Sequence, residues 1–438
     1  MGVLETNPAP RRSAGTTHIV GGGLAGLAAA LRVVAAGGRA VVYEGAPQAG
    51  GRARTLQPAD GFGHDNGTHV LFTANYPVMR FLDAVGARAD WIEPEPGAVP
   101  VFDVRTGRLA RVGLSPWSWL RPGTRPAGLD LAGALRLLRL ALPLPDRPIG
   151  AVMGDSPLVD SLVEPLTVAI LNTPVATASS RRLGLALRRL ARPGAGHLLV
   201  ARRGLSPDLV EPAVRRLAAA GVPVETGRRL RAVEQAEGRA TALVFADRTV
   251  ALGPDDRAIL ALPPWEVARL LPGQPVPDAY EPILNLHYRM EGPPSPRFVG
   301  LIGSLSQWAL VREDHTSVTV SAAGEAVDLD QATLAARVWG EIAPAIRALG
   351  LPVPAAMPEF RVVKEKRATI RQDAGPLPQP LVRPLANLTL AGDWIGALPA
   401  TIESAVVAGE RAVQAFAGPA PRPASGPLPS PLAAGGKS

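Results

Sequence analysis

The chain has 438 residues, enough for two domains of ordinary size, and a hydrophobic fraction of 47% that permits large buried cores. It contains no cysteine, which excludes disulfides, cysteine-ligated metals, a cysteine nucleophile and a cofactor attached through cysteine. Lys and Arg number 46 against 38 Asp and Glu, and the net charge of +8 favours anionic partners. Because no nucleic-acid recognition module is apparent, we expect an anionic membrane surface and no nucleic acid.

Along the chain, the predicted elements alternate between two kinds of segment. Residues 1–15 are expected to be a disordered leader without the apolar segment of a secretory signal, and residues 418–438 a disordered Pro/Gly/Ser/Ala tail. No apolar run reaches the about 20 residues of a membrane-spanning helix, so a cytoplasmic location is expected. The strand–helix segments that we assign to one discontinuous domain are residues 16–96, 197–271 and 356–417. The segments of an interleaved domain are the Pro-interrupted, helix-rich residues 97–196 and the α+β residues 272–355.

The first predicted strand, His18 to Val20, runs into the glycine-rich sequence GGGLAG, which opens a helix. Gly21 permits the tight turn, Gly23 lets the backbone approach a pyrophosphate, and Gly26 lets the helix pack closely on the strand. The N-terminus of the helix offers free N–H groups to the phosphates, and an acid at the end of the next strand can bind ribose hydroxyls. The pattern predicts a dinucleotide in a Rossmann-type α/β domain, bound by Gly21, Gly23, Leu24, Ala25, Gly26 and Glu44.

Two further motifs favour FAD over NAD. GGRAR (residues 50–54) follows the second strand, and its first arginine can neutralise pyrophosphate charge. Near the other end, LTLAGDW (residues 388–394) is a strand running into Gly-Asp, and LPATIESA (residues 398–405) begins a helix. In flavin enzymes resembling amine oxidases and carotenoid desaturases, such an Asp bonds the ribityl chain. The following helix would direct its N-terminus at the flavin pyrimidine, where negative charge accumulates on reduction. The added positions for a non-covalent FAD are Gly50, Gly51, Arg52, Gly392, Asp393, Pro399, Ala400, Thr401 and Ile402.

Longer stretches resemble the squalene-associated FAD-dependent desaturase family over nearly the whole chain except its two tails. Matching stretches include residues 164–166, LSPDLVEPA (205–213) and LNLHYR (284–289). The combination that points to this family is DNGTHVL (65–71), Leu-Asn-Thr-Pro within residues 170–174, EKRAT (365–369) and GDW with LPATIE within AGDWIGALPATIESAV (391–406). One departure is Ile395-Gly396-Ala397, where the family usually has Thr and a Thr-Gly pair. The resemblance implies an amine oxidase-like fold and reductive dehydroxylation of hydroxysqualene to squalene in squalene and hopanoid biosynthesis.

The resemblance also implies which residues lie near the reacting centre. Residues 67–69 belong to a loop that passes beside the isoalloxazine in related enzymes, which adds Gly67, Thr68 and His69 to the cofactor-binding positions. Loss of hydroxide needs an acid, and we expect His69 or Lys366 to assist it. The alternatives are a structural histidine bonded to backbone and a lysine paired with Glu365 or Asp373. No metal is expected.

Three residues are expected to contact the substrate: Glu164, Asn172 and Trp394. Glu164 and Asn172 belong to the interleaved domain, whose Leu, Val and Ala residues suit a long, dry pocket. The first of these residues precedes a proline and can instead cap a helix. Trp394 follows the Gly-Asp motif and can instead pack against the cofactor.

Residues 114–144 resemble an interfacial helix preceded by two tryptophans, with leucines at helical spacing beside two arginines. A second basic stretch runs from Arg181 to Arg203 without an acid. The substrate is expected to come from a bilayer, so these stretches predict peripheral contact with the inner face of the membrane. The alternative for both is a core helix with a solvated arginine face.

Other functions stay open at this stage. A carotenoid-type desaturase or isomerase shares the fold, cofactor and lipid substrate, and a non-catalytic flavoprotein scaffold would bind FAD without substrate-dependent redox change. An amine oxidase is disfavoured by the low aromatic content of 4%, which leaves little for an aromatic cage. No second glycine-rich nucleotide motif of good context appears, so we expect an external electron donor. Enzymes of the squalene pathway are further candidate partners.

Overall fold

A computed structural model describes residues 15–121 and 123–418. Apart from Gly15 and Gly418, the predicted leader and tail lie outside these residues. The helices of the described chain are α1 (Leu24–Ala35), α2 (Tyr76–Val85), α3 (Leu131–Ala141), α4 (Ile149–Met153), α5 (Glu164–Leu171), α6 (Ser180–Leu190), α7 (Glu211–Ala219), α8 (Pro264–Leu270), α9 (Gln331–Ala348) and α10 (Ile402–Gln414). In the described chain, no helix is long and apolar enough to cross a membrane.

The strands contribute to two large sheets and three small ones. They are β1 (Thr16–Val20), β2 (Arg39–Tyr43), β3 (Thr55–Leu56), β4 (His64–Asp65), β5 (Val70–Phe72), β6 (Trp91–Ile92), β7 (Val99–Asp103), β8 (Arg108–Val112), β9 (Leu198–Ala201), β10 (Val224–Glu225), β11 (Leu230–Ala236), β12 (Arg239–Phe245), β13 (Thr249–Ala251), β14 (Arg257–Leu260), β15 (Tyr280–Arg289), β16 (Arg297–Ile302), β17 (Trp308–Val311), β18 (His315–Val320), β19 (Phe360–Ile370) and β20 (Leu388–Leu390).

The first large sheet is parallel and has the order β10-β2-β1-β14-β20. Its central strands are almost fully buried, as strands covered on both faces are. On one face, α1 and α10 approach so closely that a Cβ on Gly409 would lie 2.1 Å from the carbonyl oxygen of Ala25. The carboxyl ends of β1, β2 and β20 lead into the glycine loop, Glu44 and the Gly-Asp motif, so the sheet gathers these motifs at one edge. The α/β fold class with an FAD-type Rossmann sheet is thereby confirmed.

The second large sheet has the order β19-β15-β18-β17-β16-β7-β8, antiparallel except for the β16–β7 pair. One face packs on α9 through a core that includes Leu284, Val318 and Val338. Two features differ from the sequence interpretation. The hairpin β7–β8 lies in a segment predicted to be helix-rich, and β19 joins this sheet although its residues were assigned to the FAD domain. The predicted division of the chain into an FAD domain and an interleaved domain stays a prediction.

Between β8 and β9 the chain forms the helical segment that contains α3 to α6. Its core includes Leu140, Leu158 and Leu183. The helices α3 and α6 touch at Gly184, where a Cβ would lie 2.2 Å from the carbonyl oxygen of Leu140. Asp130 and Ser179 begin these helices by accepting bonds from Gly133 N and Arg182 N. This segment covers the apolar side of the second sheet near β7 and β16.

Candidate functional site

The glycine loop between β1 and α1 has little room for side chains at two positions. Gly21 has a φ of +108°, and a Cβ there would lie 2.2 Å from the carbonyl oxygen of Ala261. A Cβ on Gly26 would lie 1.8 Å from the carbonyl oxygen of Gly21. These two glycines are therefore required by the fold itself, through the tight turn and the close contact of helix and strand.

Gly23 is different, because a Cβ there would meet no atom of the chain nearer than the Cα of Gly51 at 3.9 Å. The open space lies at the N-terminus of α1, which has no capping side chain and no acid in its first turn. Free N–H groups and the positive end of the helix dipole are what a pyrophosphate requires. Gly23 and Gly50 also form a bridge, so the second glycine pair lies directly beside the first loop. The residues present thus fit a dinucleotide.

The acid that ends the second strand turns back toward the loop. Glu44 accepts hydrogen bonds from Gly22 N at 2.7 Å and from Ala46 N at 2.7 Å. The carboxylate thereby orients the loop at the mouth of the sheet. Its remaining lone pairs can accept hydrogen bonds from ribose hydroxyls, as the sequence pattern predicts.

Arg52 and Asp393 join the two ends of the site. Arg52 Nη2 lies 2.6 Å from Asp393 Oδ1, and its other terminal nitrogen donates to the carbonyl of Ala368 on β19. Burial opposes the charge of Arg52, but Asp393 and then Glu365 hold its pKa above the usual value. The GGR and Gly-Asp motifs are therefore in direct contact, with β19 beside them.

The loop before β5 brings His69 to the same place. Burial is the main cause that lowers the pKa of His69 to about 4, while Asp65 favours its charged form and the charge of Arg52 opposes it. The imidazole also forms a hydrogen bond with the backbone of Arg52, as the alternative of a structural histidine predicts. The imidazole is therefore neutral at pH 7. A neutral imidazole can donate one hydrogen bond, but it is a weaker acid than the imidazolium that departure of hydroxide would use.

Asn285 on β15 holds this loop, and the sequence interpretation missed it. Its side-chain oxygen accepts from Thr68 N at 3.2 Å and from Thr319 Oγ1 at 3.0 Å, and its nitrogen donates to Asn66 O at 3.3 Å. The hydroxyl of Thr68 is buried and has no hydrogen-bond partner among the described residues. An unpartnered buried hydroxyl beside the predicted isoalloxazine is consistent with a ligand at this position. The available signal for Asn285 was an amide between two leucines in the strand LNLHYR.

Gln372 supports the C-terminal loop and was also missed. Its side-chain oxygen accepts from Ala400 N at 2.9 Å, and its side-chain nitrogen donates to Leu171 O at 2.7 Å. The residue is fully buried and ties the loop to the end of α5. Next to it, Ser404 Oγ accepts from Thr401 N at 2.8 Å at the start of α10. Nothing in the local sequence distinguishes this glutamine.

Lys366 lies on β19, two residues before Ala368, whose carbonyl accepts from Arg52. Its side chain is exposed and forms no hydrogen bond or salt bridge within the described chain. The alternative of an ion pair is therefore wrong, because Asp373 pairs with Arg371 instead. The other lysine of this strand, Lys364, donates to the carbonyls of Val327 and Leu329.

The three predicted substrate residues lie in different surroundings. Trp394 is buried in the core and donates to Leu262 O at 3.0 Å, which is the position of a packing residue. Asn172 ends α5 with a φ of +46° and is buried; its amide donates to Glu281 O and to Thr369 Oγ1 and accepts from Ala322 N. Glu164 is exposed at the start of α5, where partial desolvation and then Asp160 raise its pKa.

An apolar cavity, partly open to solvent, lies between the second sheet and the start of α5. Its lining includes Val70, the residue after His69, together with Phe72, Val101, Leu166, Phe298 and Trp308. A second cavity, called the mouth cavity below, is lined by Trp117 and Arg121 among others. Both cavities are lined by Val99, Leu114 and Leu198.

Most arginines of the basic stretch from Arg181 to Arg203 contact other groups of the protein. Arg182 donates to Leu398 O at 2.9 Å, and Arg189 pairs with Glu403 at the start of α10. Burial raises the pKa of Glu403, and Arg189 opposes that rise. The others with an internal partner are Arg188, Arg192 and Arg203. The stretch thus connects α6 with the cofactor loop, and a role of these five arginines at a membrane is not supported.

Comparisons with known proteins identify the family. The family described as flavin containing amine oxidoreductase matches residues 24–416. Hydroxysqualene dehydroxylase of Rhodopseudomonas palustris is 38% identical, over 91% of this chain and 97% of that protein. Hydroxysqualene dehydroxylase of Zymomonas mobilis is 34% identical, over 90% and 97%. Among solved structures, an oxidoreductase from Methanosarcina mazei has the same fold, with a TM-score of 0.71, 15% identity and coverage of 91% and 100%. The resemblance inferred from the motifs is confirmed.

Proposed function

The chain belongs to the flavin containing amine oxidoreductase family, within which it matches hydroxysqualene dehydroxylases, and from this we propose that it reductively dehydroxylates hydroxysqualene to squalene. It is a flavin-dependent oxidoreductase. The observation that carries the choice of substrate is the apolar cavity whose lining includes Val70, the residue after His69. The relatives give no support to the carotenoid-type desaturase considered from sequence.

The cofactor that we propose is FAD, bound non-covalently. The open space at Gly23 and the uncapped start of α1 would accept its pyrophosphate, and Glu44 the ribose of its adenosine half. Asp393 and the N-terminus of α10 would face its flavin half. FAD is a better fit than a mononucleotide, because the motifs for both halves meet at one edge of the parallel sheet.

The reaction balances when an allylic carbon loses its hydroxyl as water and gains hydride. The carbon–oxygen bond breaks, one proton joins the hydroxide, and reduced FAD supplies the hydride when bound. An allylic cation would be consumed by water, so the pocket has to exclude it. The mostly apolar lining of the cavity, which includes Val70 and Trp308, offers few groups that would hold water there.

We keep His69 and Lys366 as the residues proposed to assist departure of hydroxide. His69 precedes Val70, which lines the apolar cavity, and its neutral imidazole would release the backbone of Arg52 to donate its single N–H to the leaving oxygen. Lys366 carries an unpaired charge on the strand beside Arg52 and would stabilise the leaving oxygen electrostatically. Substituting each by Ala, with Lys366→Arg as the charge-conserving control, separates the two. Unchanged rates in both Ala variants would remove this assignment.

We also propose a cytoplasmic location with peripheral contact at the inner membrane face, an external electron donor and, as further partners, enzymes of squalene and hopanoid synthesis. The support for the membrane contact is the insolubility expected of the substrate together with the excess of arginine. For the donor, it is the lack of a second glycine-rich nucleotide motif of good context in the sequence.

The test of the function uses the protein loaded with FAD and reduced in light without oxygen. Hydroxysqualene is added in detergent, and reoxidation of the flavin is followed by absorbance. We expect reoxidation of the reduced flavin by hydroxysqualene, and no reduction of the oxidised flavin when phytoene is added to unreduced enzyme. Reduction of the oxidised flavin by phytoene, or no reoxidation by hydroxysqualene, would contradict the proposal.

A further inference from the structure

The helix α3 directs several leucines away from the protein. Leu131, Leu135 and Leu138 recur at helical spacing, Leu142 follows the last turn, and these four residues are called the leucine face below. Leu131 is 78% exposed and the others are 45–54% exposed. The opposite side of the same helix carries the buried Leu140, which packs in the core with Leu183. One apolar side of α3 is covered by the protein core. A row of exposed leucines on the other side is typical of a surface that contacts a second apolar partner.

Two more exposed apolar side chains lie on the segment before α3. Trp117 is 54% exposed and Leu120 is 72% exposed. Trp117 Nε1 donates to Ala191 O, and Arg188 donates to Ala141 O, so α6 contacts both the tryptophan and the end of α3. These two contacts are three residues apart on α6, or about 5 Å along its axis. The tryptophan therefore lies close to the C-terminal end of α3.

The segment that contains Trp117 and α3 is strongly basic. Between residues 104 and 145 there are seven arginines and one acid, Asp130. Asp130 is occupied at the start of α3, where it accepts from Gly133 N at 2.7 Å. Arg139, in the last turn of α3, is exposed and forms no hydrogen bond or salt bridge within the described chain. Leucines and a tryptophan flanked by free arginine charge are complementary to an anionic bilayer, in which acyl chains lie below acidic headgroups.

The segment before α3 also lines the two cavities. Trp117 and Arg121 line the mouth cavity, and Leu114, three residues before the tryptophan, lines both this cavity and the apolar one. The two glutamates of the mouth cavity are paired, Glu93 with His197 at 2.9 Å and Glu95 with Arg297 at 2.5 Å. The charge of Glu95 is therefore compensated by an arginine, and that of Glu93 is compensated when His197 is protonated, so at most one free acid of this pair opposes an anionic surface.

We propose that the leucine face of α3, with Trp117 and Leu120, docks on an anionic bilayer, and that lipid passes from there through the mouth cavity into the apolar cavity. The identity of the passing lipid rests on the proposed function, whereas the docking does not. The bilayer contact is peripheral, because no helix of the described residues is long and apolar enough to span a membrane.

The docking is tested with the full-length holoenzyme and vesicles of phosphatidylcholine, with or without phosphatidylglycerol, in a sedimentation assay. We expect binding to the anionic vesicles only, weakened by salt. The variant L131Q/L135Q/L138Q should reduce partition at least about tenfold. Leu131→Gln should reduce it more than Leu381→Gln, which changes another exposed leucine on a different segment. Arg139→Gln should weaken binding, while Arg347→Gln, in the last turn of α9, should not. Absence of wild-type binding, or equal binding by the triple variant, would overturn the docking.

A second copy of the chain could also cover the leucine face, and the assay has to distinguish it from a bilayer. If the triple variant changes the sedimentation coefficient of the protein without changing vesicle binding, the face is an interface between copies and the proposal is wrong. The passage is tested by Leu114→Trp, which should slow the reaction at least about tenfold with unchanged vesicle binding and FAD content. A full rate in this variant would overturn the passage.

Reaction rates measured in detergent and in vesicles distinguish failure of the docking from failure of the proposed function. With hydroxysqualene in detergent, the triple variant should react at the wild-type rate; with hydroxysqualene in anionic vesicles, it should react more slowly. An inactive wild type in detergent would contradict the proposed function alone, because vesicle binding is read without substrate. Equal rates of the wild type and triple variant in vesicles would contradict the docking alone.

Discussion

The guanidinium of Arg52 lies 2.6 Å from the carboxylate of Asp393, although the two residues are 341 positions apart in the sequence. One follows the second strand of the parallel sheet and the other follows its last strand. Their contact brings the GGR and Gly-Asp motifs together beside His69. Asp393 therefore has two roles in our account, as the counter-ion of Arg52 and as the proposed acceptor for the flavin half of FAD.

Asp393→Ala should lower the flavin affinity and also the stability of the protein without flavin. Loss of a charged hydrogen bond that is largely buried on one side should reduce the free energy of unfolding by about 1–3 kcal/mol. Urea unfolding of the apoprotein and flavin titration by fluorescence measure the two effects. Asp103→Ala, which removes a surface pair with Arg105, is the control and should cost less than about 1 kcal/mol. An Asp393 variant that binds flavin as the wild type does would contradict the assignment.

Gly23→Ala and Gly26→Ala should separate binding of the cofactor from folding. The added methyl at Gly26 would collide with Gly21 O at 1.8 Å, so the free energy of unfolding should fall by at least about 2 kcal/mol. At Gly23 the nearest atom is 3.9 Å away, so stability should change by less than about 0.5 kcal/mol. The methyl would occupy the space for the pyrophosphate and raise the flavin Kd at least about tenfold. Equal effects of both variants on flavin affinity, at equal stability, would argue against the assignment.

These glycines show what the sequence could establish. The turn, the close helix contact and the approach to phosphate are local requirements, so four to six residues were sufficient to predict them. The strands β7, β8 and β19 were missed or misassigned because strand pairing depends on partners far away in the chain. Asn285 and Gln372 were not predicted for the same reason. The role of a buried amide depends on the groups it bonds, and these lie far away in the sequence. The outward orientation of the leucine face likewise required the packing of Leu140.

The histidine near the cofactor loop predicts a pH dependence of stability. Burial lowers the folded-state pKa of His69 to about 4, so the unfolded chain binds more protons between that value and about 6.5. Stability from this residue is therefore complete above about pH 6.5 and falls as the pH decreases toward 4. The free energy of unfolding of His69→Gln should decrease less than that of the wild type between pH 7 and pH 5.

Urea unfolding at the two pH values measures this difference. The comparison with the wild type is necessary because burial also lowers the pKa of His64 and of His287. An equal decrease in both proteins would show that His69 is readily protonated in the folded state. It would then be available as an imidazolium, and its proposed role as a neutral donor would be wrong.

Asn172 should be important for stability whether or not it touches substrate. Asn172→Ala removes three hydrogen bonds and leaves a side chain at a φ of +46°, so it should cost about 2–4 kcal/mol. Asn172→Gly loses the same bonds but adopts this φ freely, and should cost about 1 kcal/mol less. Chemical denaturation of both variants tests the ranking. If Ala were as stable as the wild type while the KM for hydroxysqualene rose, the residue would act in substrate binding instead.

The central claim is tested most directly by product analysis after a single turnover. The holoenzyme is fully reduced without oxygen, mixed with excess hydroxysqualene in detergent, and the extracted lipids are quantified by mass spectrometry against the flavin that is reoxidised. We predict one squalene for each flavin reoxidised, and none from enzyme left oxidised. Reoxidation without squalene, or a desaturated product from the oxidised enzyme, would contradict the account.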